Sequence, residues 1–293
     1  MADKVIVSKS KLQTLGNAIR SKTGSTENLT LDNMVTAINN ISGGSEDRLK
    51  TFIENRGASY LFYNYSGISV DDLISYSDTE NFTNMTSMFN GCLNLQTIPQ
   101  LDTGNATNMT YMFGGCTNLQ TIPQLDTSNV TLMTYMFSGC SKLESIPQLD
   151  TSNVTSMNSM FNNCYTLQTI PLLDTSKVTS MSSMFNSCYT LQTIDITSMD
   201  KITSTGSSGN MCKSCYSLTK FIIRTMTKVP SLNTNSFTNC YHFLGTVNAT
   251  YNPSGLKDGR IYVPDNMVDS LKSATNWSAY ADIIVPLSTL QEE

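Results

Sequence analysis

Apolar positions recur along most of the chain in a fixed frame of 24 residues. Residues 126–149, DTSNVTLMTYMFSGCSKLESIPQL, and residues 150–173, DTSNVTSMNSMFNNCYTLQTIPLL, differ at only a few places. Two copies precede them (78–101 and 102–125) and one follows (174–197), so five run without a gap. A sixth, from Ser198, is stretched by three residues around Gly206-Ser207-Ser208. That insertion puts Cys215 in the cysteine column and Cys212 in the column of Phe185. A seventh, looser copy ends at Phe237 and Cys240, and Tyr65, Ile68 and Ile74 fall in the Phe, Cys and Ile columns upstream, as in a degenerate starting cap. Self-similarity at such a period is the mark of a repeat architecture.

Within a copy the apolar positions are Val130, Met133, Met136, Phe137, Cys140, Leu143, Ile146 and Leu149. Met133, Met136, Phe137 and Cys140 stand at i, i+3, i+4 and i+7, which predicts about two turns of helix, with Asp126 to Asn129 supplying turn and N-cap chemistry ahead of it. Leu143, Ile146 and Leu149 recur every three residues and predict a strand of about three residues between bends. Pro123, Pro147 and Pro171 lack an N–H, so a ladder between copies should stop at their column. Ordering 24 backbones costs as much as the burial of one copy's side chains returns, or more, so stacking is obligatory. The expected fold is an α/β repeat: a leucine-rich-repeat-type solenoid of 24-residue repeats, each a short parallel strand plus a short helix, with a small N-terminal helical attachment unit.

The N-terminal pattern is different. Leu12, Leu15 and Ile19 make one helical face, and Leu31, Met34, Val35, Ile38 and Ile41 make another, broken by Thr23-Gly24-Ser25. Two helices this short have little core of their own and are expected to dock on something, with Leu12, Leu15, Ile19, Met34, Val35 and Ile38 as the attachment residues. Ser42-Gly43-Gly44-Ser45 reads as a flexible joint, followed by a helix near Asp47–Asn55. The expected units are therefore 1–41 for attachment, 42–46 as linker, 47–77 as helix and starting cap, 78–244 as solenoid and 245–293 as closing cap.

Charge narrows the partners. Charged residues are 14 % of the 293, and the net charge is −5, so there is no broad basic surface for phosphates or anionic headgroups. Neither nucleic acid nor membrane is expected as a partner. MADKVIVSKSKLQTLGNAIRSKTG has charges every few positions and no apolar run suited to a signal peptide or a spanning helix. The expectation is a product made in the cytoplasm that leaves by another route, such as assembly into a particle followed by lysis.

Seven of the eight cysteines stand one per copy, at 92, 116, 140, 164, 188, 215 and 240, and form a column rather than a converging set. They read as small buried hydrophobes, with neither disulfide nor metal expected. The aspartate column (Asp78, Asp102, Asp126, Asp150, Asp174) gives one carboxylate per copy, far short of a calcium shell, and reads as turn capping. The Asn-x-Thr triplets at Asn81, Asn105, Asn129 and Asn153 follow from the repeated turn. His242 is the only histidine, no nucleophile, zinc or phosphate-loop motif is present, and neither catalysis nor a cofactor is expected. The informative departures are aromatic. After the repeat cysteine stand Leu93, Thr117 and Ser141, then Tyr165, Tyr189, Tyr216 and Tyr241; a second pair, Tyr111 and Tyr135, precedes the Met-Phe. Stacked tyrosines amid Ser, Thr, Asn and Gln suit a glycan or a polar protein loop, and these six are the candidate ligand-binding residues.

The unit L-x-x-I-P-x-L-D-T-S-N-V-T-x-M-x-x-M-F-x-x-C resembles the BspA-like leucine-rich repeats of bacterial surface proteins, over residues from about 60 to the end. IYVPDNMVDSLKSATNWSAYADIIVPL (261–287) resembles that family's closing element: a strand at Ile261–Val263, a helix capped by Asp265 and a last apolar strand. KLQTLGNAIRSKTGSTENLTLDNMVTAI resembles the opening of tail-associated proteins of phages and prophages of Gram-positive bacteria. Together the resemblances imply a non-enzymatic, homo-oligomeric virion appendage. Its N-terminus would hold the tail, baseplate or head of a phage particle, and its solenoid would bind a bacterial surface glycan or protein. The alternatives are a BspA-like adhesin on the bacterial cell surface and an intracellular protein-binding repeat protein.

Overall fold

In place of the helix expected in each copy, the chain makes a run of overlapping turns. The computed structural model describes residues 82–291. An α-helix sends every N–H to the carbonyl four residues back; here the donors alternate between two destinations. Met88, Asn90 and Cys92 donate locally, to the carbonyls of Met85, Ser87 and Phe89. Met85, Ser87, Phe89 and Gly91 donate instead to Asn108, Thr110, Met112 and Gly114 of the next copy, at 2.9, 2.8, 2.8 and 2.7 Å. Two residues per copy hold a left-handed backbone: Ser87 and Gly91 (φ 53° and 74°), Tyr111 and Gly115 (55° and 70°), Tyr135 and Gly139 (58° and 79°). Each such residue bends the chain out of a helical path and sends its own N–H across to the next coil, as Ser87 does to Thr110 and Gly91 to Gly114. The spacing i, i+3, i+4, i+7 does mark the buried side, since Met133, Met136, Phe137 and Cys140 are all fully buried. Turns four residues apart reproduce the periodicity of a helix.

Stacking is parallel. Bridges join Asn84 to Asn108, Asn108 to Leu132, Leu132 to Ser156 and Ser156 to Ser180. Side chains repeat the same step: Thr107 Oγ1 donates to the Thr83 carbonyl at 3.0 Å, and Thr131 Oγ1 to that of Thr107 at 3.1 Å, each across 24 residues. Buried Thr103 and Thr127 reach the carbonyls of Asp126 and Asp150, both at 2.8 Å. Between these columns the core is a set of rungs. Phe89, Phe113, Phe137, Phe161 and Phe185 lie parallel at centroid separations of 5.4 to 5.6 Å.

The strand expected in every copy is absent from the early ones. Their Leu-x-x-Ile-Pro stretches share a main-chain bond at Gln120 N–H to Gln96 and at Gln168 N–H to Glu144, both 2.9 Å. Proline explains the gap, and the residue after it fills the gap: Gln100 and Gln124, which follow Pro99 and Pro123, donate Nε2 to the carbonyls of Gln124 and Gln148 at 2.6 Å. Where the proline is lost, at Asp195, a true strand begins. β1 (Thr193–Ser198), β2 (Lys220–Thr225), β3 (Arg260–Val263) and β4 (Ile284–Pro286) form a parallel sheet in that order, with Asp195 opposite Ile222. Arg224 holds Asp195 with two nitrogens, Nε at 3.0 Å and Nη2 at 2.6 Å.

The closing strand expected at Ile261–Val263 is β3, and the last apolar strand is β4. The connection between them begins as a single 3₁₀ turn, Asp265–Met267, and continues as the helix Val268–Ser273. Asp265 does not cap that helix: its Oδ1 accepts the N–H of Ser288 at 3.0 Å and pins the segment after β4. Trp277 is fully buried and donates Nε1–H to the Pro230 carbonyl at 2.8 Å. The proposed attachment unit with Leu12, Leu15, Ile19, Met34, Val35 and Ile38, the linker 42–46 and the starting cap 47–77 lie outside the described residues.

Candidate ligand-binding surface

Because successive copies stack in register, residues of one column lie over one another, and the tyrosines form two stacks. Tyr111 and Tyr135 are parallel with centroids 4.4 Å apart. Tyr165, Tyr189, Tyr216 and Tyr241 continue face to face at 4.8, 4.6 and 4.9 Å. Their faces are therefore largely occupied by one another, and the inner rings offer edges and hydroxyls. Tyr165 begins the longer stack below Ser141, has no ring partner on that side among the described residues, and is 38 % exposed. Tyr111 is similarly exposed, and Tyr135, Tyr189, Tyr216 and Tyr241 are half-buried. Burial pushes the Tyr189 phenol above its usual range.

A fifth ring joins the longer stack. Tyr251 lies against Tyr216 at 4.8 Å, tilted by 46°. Its carbonyl faces His242 Nε2 at 2.9 Å, and His242 Nδ1 meets Asp258 Oδ1 at 2.7 Å. The histidine thus clamps the loop that carries Tyr251, with both ring nitrogens engaged. Buried Asn252 completes the clamp, donating to the carbonyls of Tyr241 (3.2 Å) and Leu256 (2.9 Å).

The cysteine column is interior. All eight thiols are free and buried. Cys116, Cys140, Cys164 and Cys188 each donate S–H to the phenylalanine carbonyl of the copy before, at 3.0 to 3.1 Å. Cys215 reaches Phe185 and Cys240 reaches Cys212, so the inserted residues are looped out and Cys212 takes a phenylalanine's place in the ladder. Burial pushes the thiols of Cys140, Cys164 and Cys240 above their usual range. No group of three or more His, Cys, Asp or Glu is placed to hold a metal ion among the described residues, and no described helix is long and apolar enough to cross a membrane.

The aspartates cap turns rather than helices. Asp126 Oδ1 accepts Ser128 Oγ–H at 2.7 Å and Ser128 N–H at 3.0 Å, and Asp150 Oδ1 accepts Ser152 N–H at 3.0 Å. The Ser128 and Ser152 side chains, and then their N–H groups, hold these two carboxyls below their usual range. Sequence reading missed what the column borders. A shallow trough of about 800 Å³ crosses the coils between the glutamine column (Gln100, Gln124, Gln148) and the aspartates. Its signal was present in the repeated Pro-Gln-Leu-Asp, whose glutamine stands at the same place in three copies.

The protein family described as "Mycoplasma protein of unknown function, DUF285" matches residues 57–169 and again 141–250. No curated protein and no solved structure matches the chain.

Proposed function

Since the chain belongs to the DUF285 family, which repeats along its solenoid, we propose that it is a BspA-like, non-enzymatic binding protein of the bacterial cell surface. The observation that carries this reading is the division of labour between columns. The repeated apolar letters are buried rungs, while the letters that change, above all Ser141 to Tyr165, face outward on a frame bonded coil to coil. Such a frame holds many side chains in fixed relation without using them for folding, which suits display and recognition. The ligand would be a surface glycan or protein, met at the exposed ring of Tyr165 and the phenol edges below it. The family match and the repeat pattern support this reading over an appendage of a phage particle.

The virion reading has one observation in its favour, the L-x-x-L-x-x-A-I-R-x-K-T-G motif near the N-terminus. The family match begins at residue 57 and does not reach that motif. Fractionation of a culture of the encoding organism separates the possibilities. Antibody labelling of intact cells is the expected result. Recovery only with sedimenting, phage-like particles would transfer the role to a virion, and recovery only from cytosol would leave an intracellular partner.

A further inference from the structure

Three outward columns change at one coil boundary. Before it, the second left-handed position is Gly91, Gly115 and Gly139, and the place after the cysteine is Leu93, Thr117 and Ser141; beyond it these columns become Asn163 and Ser187, and Tyr165 and Tyr189. The first left-handed position changes the opposite way, from Tyr111 and Tyr135 to Ser159 and Ser183. The glycines therefore form a bare track. Where a Gly115 or Gly139 side chain would begin, the only atoms within 4 Å, apart from its chain neighbours, are backbone atoms of the preceding glycine. Along one side lie the stacked rings of Tyr111 and Tyr135, with Tyr111 Cδ1 3.0 Å from where a Gly114 side chain would begin. Tyr165 closes the end, its open ring face turned toward Ser141.

The side wall is held at a cost. Tyr111 and Tyr135 take φ of 55° and 58°, a left-handed backbone that disfavours a bulky side chain, where the copies on either side carry Ser87 and Ser159. Serine serves the same turn, so the rings answer to something besides folding. The floor, in turn, restricts the ligand. Gly91, Gly115 and Gly139 spend their N–H groups on carbonyls of the next coil at 2.7, 2.6 and 2.7 Å, so the track offers an extended peptide no ladder to join. The turns 87–93, 111–117, 135–141 and 159–165 contain no charged residue, so a charged ligand finds no counter-charge in them. What remains is ring faces and hydroxyls, which match a flat ring with C–H groups on one face and hydroxyls around its rim. Because Tyr165 blocks the track, the sugar against it is the end of its chain. We propose that this track seats the end sugar of an uncharged glycan, its C–H face on Tyr165 and its hydroxyls toward Ser141 and the phenols of Tyr111 and Tyr135.

The inference rests on the reading of the solenoid as a binding surface and names the class of ligand. Its test is titration of the full chain, followed by saturation-transfer NMR, with cellotriose, maltotriose, mannotriose and tri-N-acetylchitotriose, beside sialyllactose and the peptide Gly-Tyr-Gly. At least one of the neutral trisaccharides should bind, with most transfer to one end ring, and at least tenfold tighter than sialyllactose or the peptide. Gly115→Asn and Gly139→Asn fill the track with the residue that the column carries at Asn163, and should lower the affinity at least tenfold in a folded chain. The double variant Tyr111→Ser, Tyr135→Ser should lower it likewise and leave the thermal midpoint unchanged or higher, which a merely structural ring pair would not allow. Binding by none of the neutral probes, tighter binding of sialyllactose or the peptide, or unchanged affinity in the folded variants would overturn the proposal. Labelling of intact cells is independent of these titrations, so either reading can fail while the other stands.

Discussion

Single residues in this chain are chosen for backbone sign as much as for side chain. Gly91, Gly115 and Gly139 hold one left-handed position in the early copies, and Asn163, Ser187, Ser214 and Asn239 hold it later. A methyl group at Gly139 would sit 3.4 Å from Gly115 Cα, so space is adequate and the left-handed backbone sets the cost. Gly139→Ala should therefore lose about 1–2 kcal/mol, and Gly139→Asn clearly less, in denaturant unfolding. Tyrosines divide by the same local logic. Tyr216 touches three rings and Tyr165 one, so Tyr216→Ser should lower the thermal midpoint more than Tyr165→Ser, each stacked pair being worth about 0.5–1.5 kcal/mol. The thiols make a chemical counterpart. Denatured, unreduced protein should release all eight to a thiol reagent, and the native chain should react slowly, because every one is buried. A titration finding two or fewer would contradict the free column.

At the scale of elements, the sequence showed which side of each copy is buried and misled about how the backbone gets there. Periodicity reports side-chain direction, and two left-handed turns four residues apart place Met133, Met136, Phe137 and Cys140 as a helix would. The clue lay in the Gly, Asn and Ser before each cysteine, residues that turns favour more than helices do. Proline was read correctly as a stop for the ladder; that the next glutamine would supply the missing donor from its side chain was not read. The trough beside it was missed for the same reason, since it exists only once copies are stacked. Two element-level outcomes follow. Trp277→Ala should cost about 3–5 kcal/mol, because it empties a fully buried site and strands the Pro230 carbonyl. Acid should loosen the turns: carboxyls lowered in the folded chain, as at Asp126 and Asp150, stabilise it above their unfolded value of about 3.9 and lose that contribution as pH falls through the folded value. The thermal midpoint should hold from about pH 7 to 5 and drop below about pH 4; a rise on acidification would contradict the sign.

For the whole molecule, the repeats and the closing strands were legible because each copy states the same apolar columns and the apolar runs at Ile261–Val263 and Ile284–Pro286 stand out after them. Function was legible only in part, because the repeated letters build and the changing letters are few. The molecule is thus a stack whose outer columns are free to vary, and Tyr165 marks where one of them changes. The most direct measurement compares adhesion of beads coated with the full chain, native or Tyr165→Ser, to host-cell monolayers and to bacterial cells. The variant should keep its midpoint within about 4 °C, as loss of one ring pair requires, and lose most of its adhesion. A variant that adheres as well as the native chain on both surfaces would contradict the assignment of recognition to the outward letters.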